Sequence, residues 1–209
     1  MQLAVMIAGV AAEAAGWWVV ATEQRNVWRV MPFVLFGMAL AAVLARRPVW
    51  AGDAGASAGL VVGFGSGLIL YGGTRAFVWV ATWWEPFRLD VVRQYGRAAT
   101  VSPAQALVRS VVIMVPAEEL FWRGLFQGHL AAAWGPAAAA GATWAAYVGV
   151  NAASRSMPIV AGGIVGGGVW AALAWWSGGM LASLASHILW TGLMLVVPPG
   201  AGRWAEGSE

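Results

Sequence analysis

The chain has 209 residues, of which 60% are hydrophobic and 10% are charged, with a net charge of +3. Soluble domains normally contain about 25% charged residues, so this composition excludes an ordinary water-facing surface and indicates an integral membrane protein. The absence of cysteine excludes disulfides, thiol nucleophiles and cysteine-ligated zinc. The apolar runs are continuous rather than alternating, which favours an all-α helical bundle over a β-barrel.

The apolar runs predict about seven transmembrane helices, within a range of six to eight. The first three runs cover residues 3–21, 30–45 and 58–83. No positive charge precedes the first run and no cleavage site follows it, so we expect a retained helix rather than a signal peptide. A polar, amphipathic segment over 85–103 is expected to lie at the membrane interface. The remaining runs cover residues 105–127, 136–153, 158–176 and 180–197.

All 12 positively charged residues are arginines, and their placement between the runs predicts an orientation. One set of loops and the C-terminal tail hold Arg25, Arg29, Arg88, Arg93, Arg97, Arg155 and Arg203, whereas the opposite side holds mainly Arg46 and Arg47. By the positive-inside rule this places the N-terminus outside and the C-terminus in the cytoplasm. We expect a multi-pass protein of the cell membrane that contacts lipid headgroups rather than nucleic acid. The Ala, Gly, Trp and Arg bias without Lys suggests a bacterial inner membrane.

The fourth run carries adjacent acids and an arginine in "VPAEELFWRGLFQGH". A charge within the hydrocarbon costs at least about 2.5 kcal/mol, so ionisable residues there are functional candidates by default. Glu119 and Arg123 are four residues apart, share a helix face and can pair. Glu118 is rotated about 100° from Glu119 and is left free to act as a general base or acid. The alternative for Glu119 and Arg123 is an ion pair that only joins helices.

Four polar residues in the later runs could share a cavity with Glu118. His187 lies in the middle of the last run with Thr191 one turn later, and Tyr147 and Asn151 share a face of the fifth run. His187 could act in catalysis or bond a neighbouring helix. Asn151 could donate to a developing oxyanion or serve only in packing. The other histidine, His129, is expected to be interfacial.

Three further features fall outside this constellation. The run "AGGIVGGGVW" places small residues four apart, at Gly162 and Gly166 and at Gly163 and Gly167, which favours close helix packing over phosphate binding. Glu13 and Arg75 are isolated charges in the first and third runs, and they could pair with each other.

The motif "EELFWRG" matches the EExxxR signature of the CPBP intramembrane proteases, a family that includes the type II CAAX prenyl endopeptidases and bacteriocin-processing or immunity proteins. The stretch "IVAGGIVGGGVWAALAWWSGGMLASLASHILWTGL" also resembles the family's glycine-rich span, short turn and final His-bearing helix. The resemblance covers residues 104–197 of a single domain over 1–209. Residues 1–103 match only in being apolar and helical.

The resemblance implies proteolysis within the membrane. Glu118 would activate a water molecule, with Glu119 and Arg123 in support. The family's second motif is an aromatic residue followed four later by His, and here Tyr147 is followed by Asn151. The third motif is His followed four later by Asn or Asp. Here His187 is followed by Thr191.

These two departures bear on the cofactor and on activity. Both metal-dependent and glutamate-only mechanisms have been argued for the family, and Asn and Thr are poor zinc ligands. We therefore expect no metal and no other cofactor. The leading hypothesis is an endopeptidase that acts on a peptide or protein segment in or near the bilayer, with Asn151 and His187 stabilising the intermediate. The alternatives are an inactive relative that binds peptides or partner proteins and, less favoured, a small transporter.

Overall fold

The computed structural model describes residues 1–199, apart from the side chains of Arg97 and Ala98, so Arg203 lies outside the described residues. Every regular element in this part of the chain is a helix, which confirms the predicted all-α class. The eight helices are α1 (Gln2–Thr22), α2 (Val27–Ala45), α3 (Ala56–Ala81), α4 (Glu85–Ala98), α5 (residues 103–134), α6 (Pro136–Ala152), α7 (Met157–Ser177) and α8 (Leu181–Val196).

Four of these helices are long and apolar enough to cross a membrane, as judged by length and composition: α1, α2, α3 and α7. The apolar helix α8 has 16 residues and α6 has 17. The chain is therefore a helical membrane protein, whereas the count of seven spans and the orientation remain predictions. Helix α4 coincides with the predicted amphipathic segment, because Phe87 and Val91 are buried while Arg88 and Arg93 lie outward.

Helix α5 is continuous but not regular. Its α-helical parts are Pro103–Val108, Val115–Glu119 and Gly128–Trp134, and they are separated by the π-helical stretches Arg109–Met114 and Leu120–Gln127. Pro116 gives a reason for the first stretch, because proline lacks an N–H and its ring clashes with the carbonyl four residues earlier. π-helical turns are frequent at functional sites. The short α-helical part between the two π-helical stretches ends at the motif acids Glu118 and Glu119.

Glycines bring several helices into backbone contact. A Cβ on Gly63 of α3 would lie 2.5 Å from the Ala182 carbonyl oxygen of α8, and one on Gly67 would lie 2.8 Å from that of Ser186. The loop after α2 closes on the turn between α7 and α8, where Met180 N donates to Val49 O at 3.0 Å. These contacts seat α8 firmly against α3.

Candidate active site

Glycines of α7 also bring α6 and α7 together, as their spacing predicts. A Cβ on Gly163 would lie 3.4 Å from Cβ of Asn151, and one on Gly167 would lie 2.6 Å from Cδ1 of Tyr147. With glycine at these positions, the polar face of α6 packs directly on α7. Tyr147 and Asn151 are therefore buried in the contact between α6 and α7.

The residues predicted to share a cavity do so. Glu118, Tyr147, Asn151, His187 and Thr191 all line one cavity of about 250 Å³, which is large enough for several water molecules. Its remaining walls are mainly apolar and come from more helices than the sequence indicates, among them Trp17 of α1, Trp28 of α2, Tyr95 of α4, Ile159 of α7 and Leu195 of α8.

Glu118 is 8% exposed and has one hydrogen-bonding partner among the described residues. The Tyr147 hydroxyl donates to its Oε2 at 2.8 Å. A carboxylate oxygen that is held by a fixed donor has a defined orientation. The other oxygen, Oε1, is therefore the atom available to the cavity.

Glu119 is fully buried and is surrounded by donors. Its Oε1 lies 3.3 Å from Nη1 of Arg123 and 2.9 Å from Nδ1 of His187. Its Oε2 accepts from the Ser183 hydroxyl at 2.7 Å. A buried carboxylate is tolerated when a cation and hydrogen bonds satisfy it. Glu119 is thus the central acceptor of a supporting network, as the four-residue spacing to Arg123 predicts.

Arg123 extends this network to two further helices. Its Nη2 donates to the Gly167 carbonyl oxygen at 3.2 Å. Its guanidinium carbon lies 5.1 Å from the ring centroid of Tyr147 and 5.7 Å from that of Trp170. Cation–π contacts of this kind are stronger when they are removed from water. The motif arginine therefore joins α5, α6 and α7 around the acids.

Two contacts fix the orientation of the His187 ring, one on its face and one at Nδ1. Its ring stacks on Trp170 with centroids 3.5 Å apart, and its Nδ1 meets the Glu119 carboxylate. A carboxylate can only accept, so Nδ1 is the nitrogen that carries a hydrogen. Nε2 is left for the cavity, and it can stabilise an oxyanion only when it too carries a proton.

Asn151 is buried, and its Nδ2 donates to the Tyr147 carbonyl oxygen at 2.9 Å. An amide nitrogen has two hydrogens, so one remains for a second acceptor. His129 lies apart from the cavity lining, and its Nδ1 is 2.6 Å from Oε1 of Gln2. This position agrees with the prediction that His129 is not a member of the site.

Glu13 and Arg75, which the sequence left open as a possible pair, have separate partners. Oε2 of Glu13 accepts from the Trp122 indole at 2.9 Å, whereas Nη1 of Arg75 donates to the Tyr71 hydroxyl on the exposed side of α3. Both residues lie within apolar helices, but α1 turns Glu13 towards α5 and α3 turns Arg75 away from the bundle.

Sequence reasoning also missed the roles of Ser183 and Trp170. Ser183 carried a usable signal, since it precedes His187 by four residues and so shares its helix face. Trp170 carried none, because one tryptophan among the 15 in the chain cannot be singled out without the packing of α7 against α8.

The cavity residues do not fit a catalytic zinc ion. Zinc in proteases is held by imidazole, carboxylate or thiolate groups, usually three of them. Here the cavity offers one carboxylate, one imidazole nitrogen and the neutral oxygens of Asn151 and Thr191. Among the described residues, no group of three or more His, Cys, Asp or Glu side chains could hold a metal ion.

The fold and the site define a helical membrane protein with a buried pair of carboxylates, one of which, Glu118, lines a mainly apolar cavity. A family model described as "Type II CAAX prenyl endopeptidase Rce1-like" matches residues 100–193, from just before α5 to the middle of α8. The match covers a little under half of the chain, and it supports the resemblance to the CPBP/CAAX protease family that the motifs indicate. Neither the curated proteins nor the solved structures include a match to the chain.

Proposed function

We propose that the protein is an intramembrane endopeptidase that hydrolyses a membrane-associated or C-terminal peptide segment with a water molecule activated by Glu118. The observation that carries the proposal is the convergence of Glu118, Asn151 and His187 on one apolar cavity. The match of residues 100–193 to a protease family model supports the same reaction class.

The reaction needs a base, a stabilised oxyanion and an acid. Oε1 of Glu118 takes a proton from water as the water oxygen bonds to the peptide carbonyl carbon. The free amide hydrogen of Asn151, and Nε2 of His187 when protonated, stabilise the oxyanion that forms. Glu118 then returns the proton to the leaving amine as the C–N bond breaks. The Tyr147 hydroxyl holds Oε2 throughout.

Glu118→Gln tests this assignment because it keeps the size of the side chain and removes the base. The native and variant proteins, reconstituted in liposomes, are incubated with prenylated and unprenylated C-terminal peptides, and products are identified by mass spectrometry. We expect cleavage by the native protein and none above background by Glu118→Gln. The matched control is Glu85→Gln, whose carboxylate is 72% exposed. Undiminished cleavage by Glu118→Gln would rule out its role.

Metal independence is part of the proposal, because the cavity donors suit hydrogen bonding better than zinc. We expect a strong chelator to leave the rate of cleavage unchanged and elemental analysis of the purified protein to find no stoichiometric zinc. Zinc bound in a one-to-one ratio, and lost in a Glu118→Gln, His187→Ala double variant, would overturn this part of the proposal.

A second candidate function is favoured by one observation, the amide at position 151. Asn151 cannot shuttle a proton as histidine can, and one of its hydrogens is already committed to Tyr147 O. An inactive relative would keep the cavity as a binding site for a peptide or partner protein. If the native chain cleaves no member of a peptide library and Asn151→His does, this second function replaces the first.

A further inference from the structure

Glu13 is a third buried carboxylate, and it lies outside the family-matched segment. It sits in the middle of α1 and is 0% exposed. Its Oε2 accepts from Nε1 of Trp122 at 2.9 Å, while its Oε1 has no hydrogen-bond partner among the described residues. Glu13 forms no salt bridge with any of the described residues. A carboxyl group buried in an apolar helix costs free energy, so Glu13 is a candidate for a functional role.

The sequence around Glu13 brings α1 unusually close to α5. The stretch "GVAAEAAG" from Gly9 to Gly16 has glycine or alanine at six of its eight positions. A Cβ on Gly9 would lie 2.2 Å from Cε2 of Phe121, the residue that precedes Trp122. Small residues on a helix face allow such an approach. Glu13 is thereby placed directly against the helix that carries the EExxxR motif.

A chain of contacts connects Glu13 to Glu118. The Trp122 ring, which is fully buried, meets the ring of Tyr147 edge to face with centroids 5.4 Å apart. Tyr147 in turn donates its hydroxyl to Oε2 of Glu118 at 2.8 Å. Each of these contacts involves a buried group.

We propose that Glu13 is a positioning residue for the reaction at Glu118, acting through Trp122 and Tyr147. By accepting from the indole N–H it fixes the Trp122 ring, which fixes the Tyr147 ring and keeps its hydroxyl on Oε2 of Glu118. Oε1 is then left to take the proton from water. This inference rests on the proposed function, and it extends the working parts of the site to α1.

The test compares two replacements of Glu13 in liposome-reconstituted protein with the cleaved peptide as probe. Glu13→Gln keeps an oxygen that can accept from Trp122, whereas Glu13→Leu does not. Because misplacement of a reacting group by about 1 Å can cost about a hundredfold in rate, we expect Glu13→Leu to lower kcat by roughly tenfold to a hundredfold. KM should stay unchanged because Glu13 does not line the cavity. Glu13→Gln should retain most of the native kcat.

Trp122→Phe supplies an independent arm, because it removes the donor and keeps an aromatic ring. We expect it to lower kcat as Glu13→Leu does, and the double variant to be no slower than either single variant, since both act through one chain of contacts. Trp122→Phe also tests the role of the Glu13–Trp122 hydrogen bond if Glu13→Leu does not fold.

Three outcomes would overturn the inference: native kcat in folded Glu13→Leu, a loss confined to KM, or a Glu13→Gln protein as slow as Glu13→Leu. Native kcat in Trp122→Phe would do the same. These results are distinguishable from failure of the proposed function, which would appear as no cleavage by the native protein or as cleavage that survives Glu118→Gln.

Discussion

Arg75 of α3 and Arg123 of α5 both lie within apolar helices, and they face opposite surroundings. Arg75 of α3 is exposed, and its only described hydrogen-bond partner is the Tyr71 hydroxyl one turn away. Arg123 of α5 is 4% exposed and pairs with Glu119, Gly167 and two aromatic rings. The arginine of the N-terminal half thus points outwards, whereas the arginine of the C-terminal half is buried and bonds several helices in the centre of the bundle.

The wider surroundings of the two arginines follow the same division. Helices α1 to α3 present large apolar side chains outwards, such as Phe33 at 76% exposure and Ile69 at 78%, as expected for helices that face lipid. The polar groups of α5, α6 and α8 face inwards around Glu118. The N-terminal helices therefore expose large apolar side chains and contribute part of the cavity lining, and the C-terminal helices contribute the polar groups around Glu118.

The largest expected effect is a difference in stability between variants of these two arginines. Arg123→Met leaves the buried Glu119 carboxylate without its guanidinium partner, and breaking a buried ion pair costs about 3–5 kcal/mol. Arg75→Met removes only an exposed contact, so we expect a change within about 0.5 kcal/mol. Unfolding of both variants in detergent micelles measures the difference. Equal small losses would show that the buried network does not stabilise the fold.

A smaller effect is expected for the serines of the two halves. Ser183→Ala removes a donor to the buried Glu119 carboxylate, and hydrogen bonds to charged groups contribute about 1.5–3 kcal/mol. Ser66→Ala removes only a bond to the Gly63 carbonyl oxygen of its own helix. The same unfolding measurement should give a clearly larger loss for Ser183→Ala. A larger loss for Ser66→Ala would contradict the assignment of Ser183 to the network.

The smallest expected effect concerns glycines. Gly167→Ala places a Cβ 2.6 Å from Cδ1 of Tyr147, and overpacking costs about 1–3 kcal/mol. Gly65→Ala in α3 meets nothing within 4 Å and should stabilise its helix by about 0.5–1 kcal/mol. We expect Gly167→Ala also to slow cleavage, because it displaces the ring that holds Glu118. Opposite signs for the two variants in melting temperature would support the account, and equal signs would oppose it.

Features that depend on a single helix could be predicted from the sequence. The apolar runs fall within a few residues of α1 to α3 and α6 to α8 because continuous hydrophobicity marks each helix. The fourth run was predicted too short, since α5 continues from residue 127 to Trp134. The pairing of Glu119 with Arg123 follows from helix periodicity, and the packing at Gly163 and Gly167 follows from small-residue spacing. The number of spans stays a prediction, because α6 and α8 are short and α5 contains π-helical turns.

Contacts between helices could not be predicted in the same way. The partner of Glu13 depends on which face α1 turns towards α5, and the sequence of α1 alone does not specify this. The bond from Tyr147 to Glu118 and the stacking of Trp170 on His187 likewise require the packing of α6, α7 and α8. The polar residues of these helices and the resemblance to known motifs indicated a shared cavity, but they did not indicate which atoms are in contact.

Cleavage in water enriched in heavy oxygen tests directly whether Glu118 activates the attacking water. We expect the native protein to form a product whose new carboxyl group carries one heavy oxygen atom. Glu118→Gln, folded and with Glu119 and Arg123 intact, should form no labelled product above background. Labelled product formed by Glu118→Gln at the native rate would rule out Glu118 as the base.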